Sequence, residues 1–291
     1  MKQVRKAVIP AAGLGTRVLP ATKSIPKEML PIVDKPAIHY IVEEAVRSGI
    51  TDILIITNRG KTPIEDYFDH SVELEERLLA SGKRELYDEL QKLCTMANIQ
   101  YVRQKETKGL GHAVSCAKSF VGDEPFVVMY GDDVIVGEEP VAKQLIDAYY
   151  AYGLPCCGIK EVPREDVVKY SSLKVSPLGG RNYKVTDMIE KPATPEDAFS
   201  FFSILGRVLL TPDVFEILER TAPGAGGEIQ LTDAMAEFAR GAGMTGVDFT
   251  GKRYDMGNKL GVLQASIEVG LAHPEIGDGL RAYLKELAQT L

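Results

Sequence analysis

Residues Ala11 to Pro31, AAGLGTRVLPATKSIPKEMLP, put two loop glycines next to spaced cations, which are the residue types that hold a nucleoside triphosphate. Gly13 and Gly15 let backbone N–H groups approach a phosphate with no Cβ in the way. Arg17 and Lys27 add fixed positive charge within reach of the same loop. The spacing G-x-G-T-R is not the dinucleotide fingerprint G-x-G-x-x-G, and no G-x-x-x-x-G-K-[ST] is present. A plain turn explains the glycines equally well. It does not explain why Pro20, Pro26 and Pro31 stiffen a loop that carries two cations.

Three further groups of residues can do chemistry. In Gln104 to Ala113, QKETKGLGHA, a glutamine amide offers a donor and an acceptor to a nucleobase edge, and Gly109 and Gly111 would let the base lie against bare backbone. A strand-to-helix turn with a surface glutamine is the competing reading, and His112 is read as a structural helical histidine. Gly131-Asp132-Asp133 follows the apolar run Phe126 to Tyr130, at the strand end where open α/β sheets place ligands. Carboxylates there suit Mg²⁺, which takes one or two of them together with water and substrate phosphates. A turn that caps the next element is the alternative, and whether Asp133 also serves the metal stays open. Asp255, in YDMGN, can bring a second carboxylate or simply start a helix. In Glu190-Lys191-Pro192, Glu190 can accept hydrogen bonds from sugar hydroxyls while Lys191 meets a phosphate, or both can end a solvated edge strand. The two side chains point to opposite faces if the strand stays regular, so they are not expected to pair. Glu228 and Gln230, in GAGGEIQLTD, either line a site or fix a glycine-rich loop before a helix capped near Thr232.

The elements that must position these residues alternate between strand and helix. Val4 to Pro10 and Ile53 to Ile56 read as buried strands. Pro36 to Ser48 has apolar residues on one helical face and is stopped by Gly49. Thr62 to Glu65 reads as a capping box with proline at the first helical position. Ser71 to Met96 reads as one or two charged helices broken near Gly82, and a strand holds Tyr101 and Val102. The alternation implies right-handed βαβ crossovers. Strand-like pieces near 155–161, 172–176, 183–190 and 204–210 suggest antiparallel additions, and helices near 212–221, 231–240, 258–272 and 275–290 follow. The expected fold is therefore α/β with a largely parallel central sheet, and no linker is long enough to separate two independent domains.

Composition fits an ordinary globular enzyme, with 45% hydrophobic and 26% charged residues. A formal charge of −7 makes nucleic acid an unsuitable partner, so anionic ligands must be held by local cations. No run approaches the roughly 18 apolar residues of a membrane helix. The basic start MKQVRK leads into a short strand, not a signal-peptide core. Cys94, Cys116, Cys156 and Cys157 show no C-x-x-C spacing, and Cys156 and Cys157 are expected on opposite faces of a strand. A cytoplasmic location with reduced thiols is expected.

In order along the chain, AAGLGTRVLPATKSIPKEMLPIVDKP, RQKETKGLGHAV, GDEPFVVMYGDD, IEKP, GEIQLTDA and YDMGNKLG resemble the bacterial UTP–glucose-1-phosphate uridylyltransferases, within the wider nucleotide-sugar pyrophosphorylase family. The resemblance runs from Ala7 to about Leu271. It implies a Rossmann-like three-layer α/β/α sandwich with a mainly parallel mixed central sheet. It also implies one nucleotidyltransferase domain over 1–291, in which residues to about 135 serve the nucleotide, about 136–255 the sugar, and about 256–291 form C-terminal helices. It implies that Ala12, Gly13, Gln104 and Gly109 hold uracil, and that Arg17 and Lys27 hold the triphosphate. It implies that Asp132 and Asp255 hold Mg²⁺, Glu190 the glucose hydroxyls and Lys191 the sugar phosphate. It further implies a homodimer or homotetramer, with UTP and a hexose 1-phosphate, which by family is glucose 1-phosphate, as ligands. No protein nucleophile is needed, because a sugar 1-phosphate, with a second pKa of about 6, already carries the attacking oxygen. The chain departs from the family at Tyr170-Ser171-Ser172, where Tyr-Gly is usual, and in Phe202 to Val208. Ser171 would therefore either crowd the hexose or alter the choice of sugar. The same transfer with dTTP or another hexose, and a nucleotide-sugar sensor without turnover, are the rival readings.

Overall fold

Ala7, Val8 and Ile9 carry no polar side chain, and they form the middle of β1 (Lys6–Pro10), buried on both faces. The computed structural model describes residues 2–290. After β1 come a loop with three short 3₁₀ turns, the two-residue strands β2 (Pro31–Ile32) and β3 (Lys35–Pro36), and α1 (Ala37–Arg47). Then follow β4 (Asp52–Thr57), α2 (Thr62–Phe68), α3 (Val72–Ala80), α4 (Arg84–Thr95), β5 (Asn98–Arg103), α5 (Leu110–Ser115), α6 (Lys118–Val121), β6 (Phe126–Met129) and β7 (Asp133–Val136). The second half contains α7 (Val141–Tyr152), β8 (Cys156–Glu161), β9 (Ser171–Gly179), β10 (Asn182–Glu190), β11 (Phe202–Leu210), α8 (Val214–Arg220), α9 (Leu231–Arg240), β12 (Met244–Asp248), β13 (Lys252–Asp255), α10 (Lys259–Ala272) and α11 (Gly277–Ala288).

Nine strands form one sheet in the order β5-β4-β1-β6-β11-β8-β12-β10-β9. β1 pairs in parallel with β4 and β6, and β4 pairs in parallel with β5. Only β11 and β10 run against the rest. Alternation along β1 sends Ala7 and Ile9 to a core shared with α1, α7 and α10, and Val8 to a core shared with α5, α8 and α9. These two cores make the expected three-layer sandwich. Cys156 and Cys157 fall into opposite cores, as the sequence suggested.

Some local expectations need correction. The helix after β4 begins at Thr62 with no side-chain cap, and Lys61 stands at the N-cap. Glu65, the expected capping-box acid, instead accepts from the Thr57 hydroxyl at 3.3 Å. Thr232 lies inside α9 and does not cap it. The helix opened by Gly109 and Gly111 breaks after Ser115 and resumes at Lys118. β8 is not simply an antiparallel addition, because β12, which sequence patterning left unmarked, pairs with it in parallel. Among the described residues, no helix is long and apolar enough to cross a membrane.

Candidate active site

The loop after β1 is fastened at several points. Ala11 donates its backbone N–H to Ile56 O at 2.8 Å, and the Asn58 amide donates to Ala12 O, so the loop starts locked to the end of β4. Gly15 takes φ 68°, ψ 26°, a left-handed conformation that favours glycine, and the Thr22 hydroxyl donates to its carbonyl at 2.7 Å. Lys27 returns to the loop's start, with Nζ 2.6 Å from Asp132 Oδ2 and close enough to Gly13 to touch any Cβ placed there, at 3.4 Å. Burial alone would lower the Lys27 ammonium, but the Asp132 and Glu28 carboxylates outweigh it and hold it above its usual value. Beneath the loop, Glu28 and Lys61 form a buried ion pair at 2.7 Å. Burial pushes Glu28 up and Lys61 down, and each offsets the other only in part.

Asp132 and Asp255 meet because β7 and β13 pair as a two-stranded ribbon with Asp133 opposite Asp255. Met256 donates its N–H to Asp132 O at 2.8 Å, and Gly257 donates its N–H to Asp255 Oδ1 at 2.7 Å. Gly257 lies between the two carboxylates, and a Cβ on it would stand 2.8 Å from Asp255 Oδ1 and 3.0 Å from Asp132 Oδ2. The mostly exposed Arg17 reaches over both, 3.8 Å from Asp132 and 3.5 Å from Asp255. Burial would raise Asp132, but Lys27, followed by Arg17, holds it below the ordinary carboxylate value. Two carboxylates within reach of one Arg17 guanidinium offer only oxygen, a donor set that suits Mg²⁺. Asp133 turns away and pairs with Arg253 at 2.5 Å. Asp133 outweighs burial and raises the Arg253 guanidinium, while burial raises the Asp133 carboxyl against the pull of Arg253.

Beside these charges lies a cavity of about 420 Å³. The structure brings Ala12, Gly13, Lys27, Gln104, Gly109 and Asp132 to its walls, together with Thr107, Tyr130 and Glu228. Gly15, Arg17 and Asp255 stand outside those walls. Gln104 is nearly buried, and its backbone N–H donates to Thr57 O at 2.8 Å. Its side-chain nitrogen donates to Gly109 O at 3.2 Å and lies 2.9 Å from His112 Nδ1. With both amide hydrogens engaged, Oε1 is the atom left to accept from a ligand. His112, read from sequence as merely structural, thus orients the amide. Gly109 takes φ 100°, and a Cβ there would come within 2.7 Å of Glu228 and Ile229. The close approach lets Ile229 donate to Lys108 O and accept from Gly111, both at 2.8 Å, so the GEIQ segment closes the cavity over the glycine turn.

Glu190 and Lys191 lie at the end of β10, outside the cavity wall. Tyr130 stands on the cavity wall, and burial, followed by the charges of Glu190 and Asp133, raises its phenol. Burial raises Glu190 too, although the Thr232 hydroxyl donates to its Oε2 at 2.7 Å. Lys191 does not continue the strand. Its φ of 47° turns it back until Nζ lies 3.8 Å from Glu190 Oε1, so the two do meet, contrary to the opposite-face expectation. Ser171 is buried, and its hydroxyl accepts the Ile204 N–H at 3.0 Å, which commits it to the sheet.

Residues 6–270 match the nucleotidyl transferase family, and the chain belongs to it. It is 54% identical to the UTP–glucose-1-phosphate uridylyltransferase YngB of Bacillus subtilis, over 98% of this chain and 96% of that one. It is 50% identical to a second UTP–glucose-1-phosphate uridylyltransferase of the same organism, over 99% and 98%. Among solved structures, it is similar to a UTP-bound UGPase from Acinetobacter baumannii, with TM-score 0.91 and 37% identity over 98% of this chain and all of that one. A UDP-glucose pyrophosphorylase complexed with UDP-glucose matches with TM-score 0.85 and 42% identity, over 93% of this chain and all of the other.

Proposed function

We propose that this chain transfers UMP from UTP to glucose 1-phosphate, forming UDP-glucose and releasing pyrophosphate. The observation that carries the reading is one cavity with an oriented amide acceptor, Gln104 Oε1, on one wall and the Lys27–Asp132 pair on another. The names of the relatives, and the UTP and UDP-glucose in the matching structures, support the choice of ligands.

Gln104 Oε1 accepts the N3–H of uracil. Cytosine presents an acceptor at the same position and is repelled. The base lies on Gly109, where no side chain intervenes. Backbone N–H groups at Gly13 and Gly15 approach the phosphates, and Lys27 exchanges part of its contact with Asp132 for phosphate oxygens. Arg17, exposed and only loosely paired, swings onto the departing pyrophosphate and offsets its growing charge. Glu190, which already accepts from a hydroxyl, accepts from the glucose hydroxyls, and Lys191 holds the sugar phosphate in line with the α-phosphorus. The sugar phosphate oxygen bonds to that phosphorus as the bond to pyrophosphate breaks. Asp132 and Asp255 would hold Mg²⁺, which when bound supplies Lewis-acid neutralisation of phosphate charge.

On this reading residues to about 135 carry most nucleotide contacts, about 136–255 carry the sugar and about 256–291 are C-terminal helices, while Glu228 and Asp255 reach back across that division. Four free thiols suit a cytoplasmic setting. The exposed Leu260, Leu263 and Ile267 of α10 give apolar surface to a homodimer or homotetramer. A pyrophosphate-release assay over a grid of nucleoside triphosphates and sugar 1-phosphates tests the assignment. UTP with glucose 1-phosphate should give the highest kcat/KM, and a different best pair would reassign the base or the sugar.

A further inference from the structure

Outside the cavity, the chain between β4 and β5 makes an outlying hairpin of α3 and α4, in which no residue is fully buried. Three segments meet at its base. His70 follows α2, Glu75 lies in the first turn of α3, and Cys94 lies in the last turn of α4. One ligand atom from each, a ring nitrogen, a carboxylate oxygen and a thiol sulfur, all lie within 4.8 Å of one another. Among the described residues, no other group of three or more His, Cys, Asp or Glu side chains comes together in this way. His70 Nδ1 stands 3.0 Å from Glu75 Oε1, and Cys94 Sγ donates to Asp69 O at 3.4 Å. The carboxylate is braced from behind, since Gln91 Nε2 donates to Glu75 Oε2 at 2.8 Å and Ser71 N–H donates to Oε1 at 3.1 Å. Such bracing is the support that orients metal ligands.

Nitrogen, sulfur and one carboxylate oxygen make a borderline-soft donor set, which Zn²⁺ and Co²⁺ take and Mg²⁺ does not. We infer that His70, Glu75 and Cys94 form a second metal site, chemically unlike the oxygen-only pair Asp132 and Asp255, which takes one Zn²⁺-class ion with water in the fourth position. Ligands at Zn²⁺ distances stand about 3.5 Å apart, so the group must close slightly, and half-exposed His70 supplies the movement. On binding, the Cys94 thiol gives its proton to solvent, the His70 Nδ1 proton moves by way of solvent to Nε2, and the His70–Glu75 hydrogen bond is exchanged for two bonds to the ion. The site ties the exposed hairpin to the end of α2, whose Phe68 is buried in the core.

The test is a Co²⁺ titration of the full chain in the presence of Mg²⁺, followed by absorption. One equivalent should bind with a thiolate-to-cobalt charge-transfer band, which the oxygen-only site has no sulfur to produce. Cys94→Ser should abolish the band. His70→Ala and Glu75→Gln should each weaken Co²⁺ binding at least tenfold, and one equivalent of Zn²⁺ should displace the Co²⁺. Zn²⁺ should also raise the Tm of the unaltered protein and leave that of Cys94→Ser unchanged. A missing band at stoichiometric Co²⁺, a band that survives Cys94→Ser, or equal Co²⁺ affinity in all three variants would overturn the site.

Discussion

Gln104→Ala is the substitution that most sharply separates base recognition from turn-making. In the structure both amide hydrogens of Gln104 are engaged, one with Gly109 O and one with His112, so the amide cannot turn over to suit another base. The remaining acceptor meets a donor in uracil and an acceptor in cytosine. A hydrogen bond that one base satisfies and another leaves unmade is worth roughly 1–3 kcal/mol. The UTP-over-CTP ratio of kcat/KM should therefore fall roughly 5- to 150-fold in the variant. The contact exists in both the bound and the reacting state, so most of the loss should appear as a raised KM for UTP, with kcat largely kept. Pyrophosphate release at saturating glucose 1-phosphate measures both ratios. His112→Ala frees one amide hydrogen and should give a smaller loss of the same kind. An unchanged UTP-to-CTP ratio in Gln104→Ala would refute the reasoning and leave Gln104 a turn residue.

Asp132→Ala and Asp255→Ala should each lower kcat at least about a hundredfold at saturating Mg²⁺, and near-normal turnover in both would remove these carboxylates from metal binding. Lys191→Ala should depress kcat and kcat/KM together, whereas Glu190→Gln should mainly raise the KM for glucose 1-phosphate; steady-state kinetics that show the same pattern for both would contradict the division of roles. Glu28→Gln leaves the Lys61 ammonium buried without its carboxylate and should cost about 3–5 kcal/mol in urea unfolding, while a cost near zero would show that the pair contributes little. Glu124, held by Arg5 and Lys6, is depressed from 4.5 to about 2. A depressed acid stabilises the fold above its unfolded value and loses that contribution as pH falls through the folded one. The stability gap between the parent and Glu124→Gln should thus be full at pH 6 and should shrink as pH falls from about 4.5 to about 2; a gap independent of pH would count against the ion pairs.

The sheet's centre was legible because β1, β4 and β6 are buried on both faces and so read as unbroken apolar runs. The glycine loop was legible because Gly13, Arg17 and Lys27 are close in sequence. What stayed hidden depends on distant pairing. Asp132 and Asp133 are neighbours with the same chemistry, and only the β7–β13 ribbon gives one to the site and the other to Arg253. Nothing local marks His112 as the partner of Gln104, since helix position alone does not reveal a ring's neighbour. Lys191 was expected to point away from Glu190 on a regular strand, and a single left-handed residue reversed that. Thr62 and Glu65 had the spacing of a capping box, but the Thr57 hydroxyl took Glu65 instead. Ser171 stood out against the family pattern, but only the fold shows that its hydroxyl accepts the Ile204 N–H, more than thirty residues away in sequence.

The most direct test of the central claim follows the phosphorus that is transferred. With UTP labelled at the α-phosphate, glucose 1-phosphate and Mg²⁺, the label should move into UDP-glucose, with one pyrophosphate released for each. Lys27→Ala should slow that transfer sharply, because Lys27 stands between Gly13 and Asp132, where the phosphates are proposed to pass. A protein that binds UDP-glucose but moves no label from UTP to any sugar 1-phosphate would contradict the account and identify a sensor.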